Sequence, residues 1–181
     1  MEILRGNYES YPPHQLLKDN CAIILNDQNI AELRSVLAAL FGPAGQSLLY
    51  AIGKMYGIYS YKRMLNSSTQ SSLKIIEQIF RLKQEEGWGN IEICLENDEL
   101  KNVVIKNSFE SRYYYRTGKL TQGEKTSSNN LSEDPITQPQ CFFLKGFLEG
   151  ILSFNLQKNI HLNEIECIAA GYEKCIFLPK C

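Results

Sequence analysis

A chain of 181 residues, 44% hydrophobic and 22% charged, is long enough to bury its own core and fits one domain with short additions. The formal net charge of −1 supplies no global field for nucleic acid or an anionic membrane, and no Lys/Arg run supplies a local one. No apolar run approaches the roughly 18 residues of a membrane span. Met1-Glu2-Ile3-Leu4-Arg5 lacks the basic start and apolar stretch of a secretory signal. A cytoplasmic protein is expected, with neither nucleic acid nor a membrane span.

Residues 1–27 read as an N-terminal arm containing Tyr11-Pro12-Pro13 and a short strand or buried segment at residues 21–25. Ile30, Leu33, Val36, Leu37 and Leu40 recur at helical spacing and predict an amphipathic helix over 28–40, ended by Gly42-Pro43. A second helix is expected over 44–65, with Leu48, Leu49, Ile52, Met55, Tyr56 and Tyr59 as one apolar stripe. Gly45, Gly53 and Gly57 recur within it. Glycine costs a helix interior about 1 kcal/mol, so these positions point to close approach by a helix or a ligand.

A third helix is expected over 71–86, stopped by Gly87-Trp88-Gly89. Alternating segments at 90–96 and 100–106, joined at Asn97-Asp98, signal a hairpin. Residues 111–140 are polar and read as a long insert. A closing helix over 141–157 and a final hairpin over 160–179 complete the chain. Clustered helices and clustered strands argue for an α+β domain, an antiparallel sheet packed against helices, over residues 28–179.

Cysteine chemistry concentrates near the C-terminus. Of six cysteines, Cys21 and Cys94 lie in apolar strand-like segments and read as packing residues. If the final hairpin turns at Gly171, Cys167 and Cys175 oppose each other, with Cβ atoms about 4.5–5.5 Å apart. Two thiolates so placed can share a tetrahedral zinc, with Zn–S bonds of about 2.3 Å. Cys141 at a helix start can add a third sulfur. The competing reading is core packing, because strand alternation puts Ile165, Cys167, Ala169, Cys175 and Phe177 on one apolar face. A Cys167–Cys175 disulfide is disfavoured in a reducing compartment.

The order Cys141, Gly146-Phe147-Leu148-Glu149-Gly150-Ile151-Leu152, Glu166-Cys167, Gly171-x-x-x-Cys175-x-Phe177 resembles the 4-vinyl reductase domain family. The segment from Phe41-Gly42-Pro43-Ala44-Gly45 onward resembles that family's opening helices. The resemblance implies the fold of the ligand-binding domains of NO-signalling and Golgi-transport proteins, and a homodimer packed through the early helices. It implies that Cys141, Cys167 and Cys175 match zinc-binding cysteines of aromatic-responsive sensors, where zinc is structural. It also implies a glutamate upstream of Cys141 as fourth ligand. Glu124 lies nearest that spacing; Glu133, His161 and Cys181 are the alternatives.

Leu49, Ile52, Tyr56, Trp88, Phe143, Phe147 and Ile151 can line an apolar ligand pocket, with Tyr56 or Trp88 as a polar handle. The same residues also suit a filled core. Gly146 and Gly150 lie on one helix face and point to close approach by a strand or a flat ligand. Tyr113-Tyr114-Tyr115-Arg116 offers a stacking surface, a lid, an edge strand or a dimer contact. Glu149, Glu164 and Glu166 read as solvent-facing.

No Gly-x-Ser-x-Gly, phosphate-cradling loop or dinucleotide fingerprint occurs, and His14 and His161 are the only histidines. No catalytic residue is assigned. The expected function is binding of a small hydrophobic molecule, whether aromatic, hydrocarbon or tetrapyrrole-like, in a domain with structural zinc acting through a protein partner. The alternatives are a ligand-free scaffold or assembly protein, and an accessory factor of chlorophyll or bilin metabolism.

Overall fold

The computed structural model describes residues 27–67, 71–96, 99–112 and 141–180. The N-terminal arm, Cys21, Tyr113–Arg116, Glu124, Glu133, most of the expected insert and Cys181 lie outside the described residues. Three helices come first: α1 (Asp27–Phe41), α2 (Pro43–Ser67) and α3 (Ser72–Glu85). Strands β1 (Asn90–Glu96) and β2 (Glu99–Lys106) follow, then α4 (Phe142–Leu156), β3 (Leu162–Glu166) and β4 (Lys174–Pro179). The sequence-predicted elements reappear within a few residues, and the α+β class is the observed one.

The four strands form one antiparallel sheet in the order β1-β2-β4-β3. Alternation along each strand sends Ile91, Val103, Ile105, Cys175 and Phe177 into the core. Helix α4 lies between this sheet and α2. Leu144, Phe147, Leu148 and Ile151 are wholly buried, as expected for a helix apolar around most of its circumference. Helix α3 is more one-sided and buries Ile75, Ile76, Ile79 and Phe80.

Helices α2 and α4 meet backbone to backbone. A Cβ on Gly53 or Gly57 would collide with the carbonyls of Phe143 or Phe147, and one on Gly146 or Gly150 with those of Tyr50 or Lys54. The close approach expected at Gly146 and Gly150 is therefore made by a helix, and not by a strand or a flat ligand. Glycines from both partners let the axes approach more closely than larger side chains permit.

The final hairpin departs from simple alternation. Glu164 pairs with Phe177, but Glu166 pairs with Ile176, so β3 carries one extra residue. Glu164 and Cys167 consequently both turn inward, while Ile165 is 45% exposed. The connection is a 3₁₀ turn at Ile168–Ala170, closed by Gly171 at φ 94°.

Candidate metal centre

Four buried ligand atoms converge where α4 begins. The sulfurs of Cys141, Cys167 and Cys175 and a carboxylate oxygen of Glu164 all lie within 4.8 Å of one another. Each comes from a different structural device. Cys141 is the N-cap residue of α4. Glu164 is turned inward by the bulge in β3, Cys167 ends that strand, and Cys175 lies on β4 beside Ile105 of β2. Cys141 Sγ is 3.6 Å from Cys175 Sγ. Tetrahedral bonds of about 2.3 Å to one ion place two sulfurs about 3.8 Å apart, so the spacing suits a shared tetrahedral ion.

Polar partners surround the cluster. Glu164 Oε2 accepts the N–H of Cys141 at 3.1 Å, whereas Oε1 is buried with no partner. Cys175 Sγ accepts the N–H of Ile168 at 3.4 Å. The segment just after β2 supplies three further contacts. Ser108 Oγ lies 3.5 Å from Cys141 Sγ, and Ser111 Oγ lies 3.4 Å from Cys175 Sγ. Between them, Glu110 caps α4 by accepting the N–H groups of Phe143 and Leu144 at 2.9 and 2.8 Å.

The electrostatics follow from these contacts. Hydrogen bonds from Cys141, then Cys167, Ser111 and Ile168, outweigh burial and bring the Cys175 thiol down to about 5. Burial, reinforced by the other sulfurs, pushes Cys141 well up. At Cys167 the Cys141 hydrogen bond pulls downward, but the Cys175 contact and burial outweigh it and the thiol rises. Burial, then the adjacent Cys167, raises Glu164 to about 8. One thiolate, two thiols and an orphaned carboxyl oxygen are packed together with no cationic side chain completing the set. This donor set is suited to one divalent ion, whose charge would favour deprotonation of all four.

The structure corrects the solvent-facing expectation for two carboxylates. Glu164 is 7% exposed because of the strand bulge. Glu149 is 1% exposed because its position on α4 is covered: Oε1 accepts the N–H of Leu162 at 2.8 Å, and Oε2 accepts the hydroxyl of Tyr50 at 2.5 Å. His161 is not in the cluster; its half-exposed ring lies 3.4 Å from Glu149 and 2.9 Å from Asn159.

The seven pocket candidates divide. Tyr56, Trp88, Phe143 and Phe147 form one ring cluster with centroids 5.0–6.3 Å apart. Lys83, 6% exposed, donates to Tyr56 Oη at 2.8 Å and lies 4.7 Å from the Trp88 ring centre. Ile151 is wholly buried, Leu49 is buried outside the main core cluster, and Ile52 is 49% exposed. None of the seven borders the cavity of about 310 Å³ that adjoins Tyr50, Phe142, Lys145 and Glu149. Sequence reasoning passed over that cavity because its lining comes from three distant segments with no shared periodicity.

Residues 126–180 match the family model of the 4-vinyl reductase domain. The uncharacterized protein MJ1460 of Methanocaldococcus jannaschii is 26% identical over 178 residues, spanning 92% of this chain and 93% of the relative. The crystal structure of the phenol-responsive sensory domain of the transcription activator PoxR, solved with phenol, superposes at a TM-score of 0.67. That alignment has 20% identity and covers 88% of this chain and 76% of that one, which shows a shared fold. A vinyl-4-reductase family protein from Methanocaldococcus jannaschii aligns at a TM-score of 0.44, with 22% identity over 86% of this chain and 87% of that one. All four residues of the cluster fall within the matched segment, and the chain is a member of the 4-vinyl reductase domain family.

Proposed function

We propose that the protein is a small-molecule-binding domain whose C-terminal unit is held together by a structural zinc ion. The observation that carries this reading is the buried Cys141–Glu164–Cys167–Cys175 cluster beside a solvent-open cavity on the same helix, α4. Three sulfurs and one carboxylate oxygen fill a tetrahedral zinc shell and leave no open position, as in structural rather than catalytic sites. Zinc there would tie β3, β4 and the start of α4 together and so fix one wall of the cavity. Ligand occupancy would shift a population of states that a partner protein reads. The family membership and the fold shared with a phenol-responsive sensory domain support the small-molecule reading.

A homodimer is the second element of the proposal. Leu33, Val36 and Leu40 of α1 and Leu48, Ile52, Met55 and Tyr59 of α2 are each 44–69% exposed and lie at helical spacing. An apolar stripe of this kind favours burial against a second copy. No helix among the described residues is long and apolar enough to cross a membrane.

Native mass spectrometry of untagged protein tests the whole reading. The expected result is a dimer with one zinc per chain and an added organic mass. A metal-free, ligand-free monomer would overturn it and leave the cysteines as core residues.

A further inference from the structure

We propose that the 310 Å³ cavity beside α4 takes a small monocyclic carboxylate, held by Lys145 and Lys180. The inference rests on the small-molecule reading above and adds the ligand's size and charge.

Size comes first. Ligand cavities run from about 300 to 1,000 Å³, so this one is at the small end, matched to a single ring. Tyr50, Phe142 and Leu162 supply apolar wall, which an inorganic anion would not use.

Charge comes second. Glu149 is the one carboxylate in the lining, and its oxygens are already engaged by Leu162 N–H and the Tyr50 hydroxyl. Lys145 and Lys180 face the same space, and among the described residues neither has a carboxylate at ion-pair distance. Lys145 Nζ lies 5.9 Å from the Tyr50 ring centre. Lys54 lies over the same ring at 5.8 Å, with its Nζ 3.4 Å from the hydroxyl. The backbone N–H of Lys180 donates to His161 O at 2.7 Å, which holds that lysine at the rim. Two lysines against one glutamate leave a single positive charge over a concave apolar floor, which suits a monoanion with an apolar body.

The test is isothermal titration calorimetry on the full chain as purified. Benzoate and phenylacetate are compared with their neutral counterparts, benzyl alcohol and 2-phenylethanol. The acids should bind roughly tenfold tighter than the alcohols, as expected when a charged partner is supplied. Lys145→Met and Lys180→Met should each remove most of that preference and leave alcohol binding unchanged. Lys180 is exposed, so its variant keeps the test valid if Lys145→Met fails to fold. Alcohols binding as tightly as acids would overturn the charge assignment while leaving the small-molecule reading standing. So would unchanged acid affinity in both variants. Binding of none of the four would overturn the cavity assignment, and the organic mass in native spectra then decides the broader reading separately.

Discussion

Glu164 accepts the backbone N–H of Cys141 through one carboxylate oxygen and leaves the other buried without a partner. Such an orphan is costly in an apolar interior unless a cation completes it. The expectation has opposite signs in the two states. In metal-free protein, Glu164→Gln should be neutral or stabilising, because it removes a buried ionisable group. In zinc-loaded protein it should destabilise, because it removes a ligand. Cys167→Ser and Cys175→Ser should release zinc and cost about 3–5 kcal/mol. Metal content and denaturation with and without a chelator check both statements. Serine variants as stable as the wild type would rule out structural zinc.

That residue also marks where the sequence stopped being legible. Helix spacing, the β1–β2 hairpin and the three convergent cysteines could be read from pattern, because periodicity and chain order determine them. Glu164 could not. Strict alternation predicts Ile165 and Cys167 on one face, whereas the bulge exchanges Ile165 for Glu164. A bulge has no fixed composition, so nothing in Glu164-Ile165-Glu166-Cys167 announces it. Glu110, Ser108 and Ser111 were invisible for a different reason: their role depends on a loop docking against a helix N-terminus far along the chain.

Glu110 makes a pH prediction. Burial raises its carboxyl from 4.5 to about 8, against the N–H groups of Leu144 and Phe143 and the Arg34 charge, which pull it down. A folded value above the unfolded one means that the group's stabilising contribution is full below pH 4.5 and is lost as pH rises through about 8. Glutamine does not titrate. Relative to wild type, Glu110→Gln should therefore gain stability across that interval, on the order of a few kcal/mol. Urea denaturation at several pH values measures the difference, and a constant gap between the two proteins would contradict it.

The α2–α4 contact predicts a steric penalty at defined positions. Gly146→Ala places a methyl group against the Tyr50 carbonyl, and Gly53→Ala places one against that of Phe143. Alanine regains about 1 kcal/mol of helix propensity, but backbone atoms cannot yield as a flexible side chain can. The net loss should be about 1–3 kcal/mol for each. Thermal melts of the two variants should both fall; an unchanged melting temperature would mean that the helices separate at little cost.

The last prediction concerns the outer face of α1 and α2. Met55 is 68% exposed and Leu40 69% exposed. The opposite side of α2 carries the glycines that press against α4, so the stripe of Leu48, Ile52, Met55 and Tyr59 is left for a partner. A charge at the centre of a self-complementary surface meets its own copy across the two-fold axis, so repulsion and desolvation act together. Met55→Glu should convert a dimer to a monomer in sedimentation or light-scattering measurements. In the monomer the side chain is open to solvent, so chain stability should change by no more than about 0.5 kcal/mol. If the variant remains dimeric, the interface lies elsewhere on the molecule. If the wild type is monomeric at all concentrations, the stripe is covered by something other than a second copy.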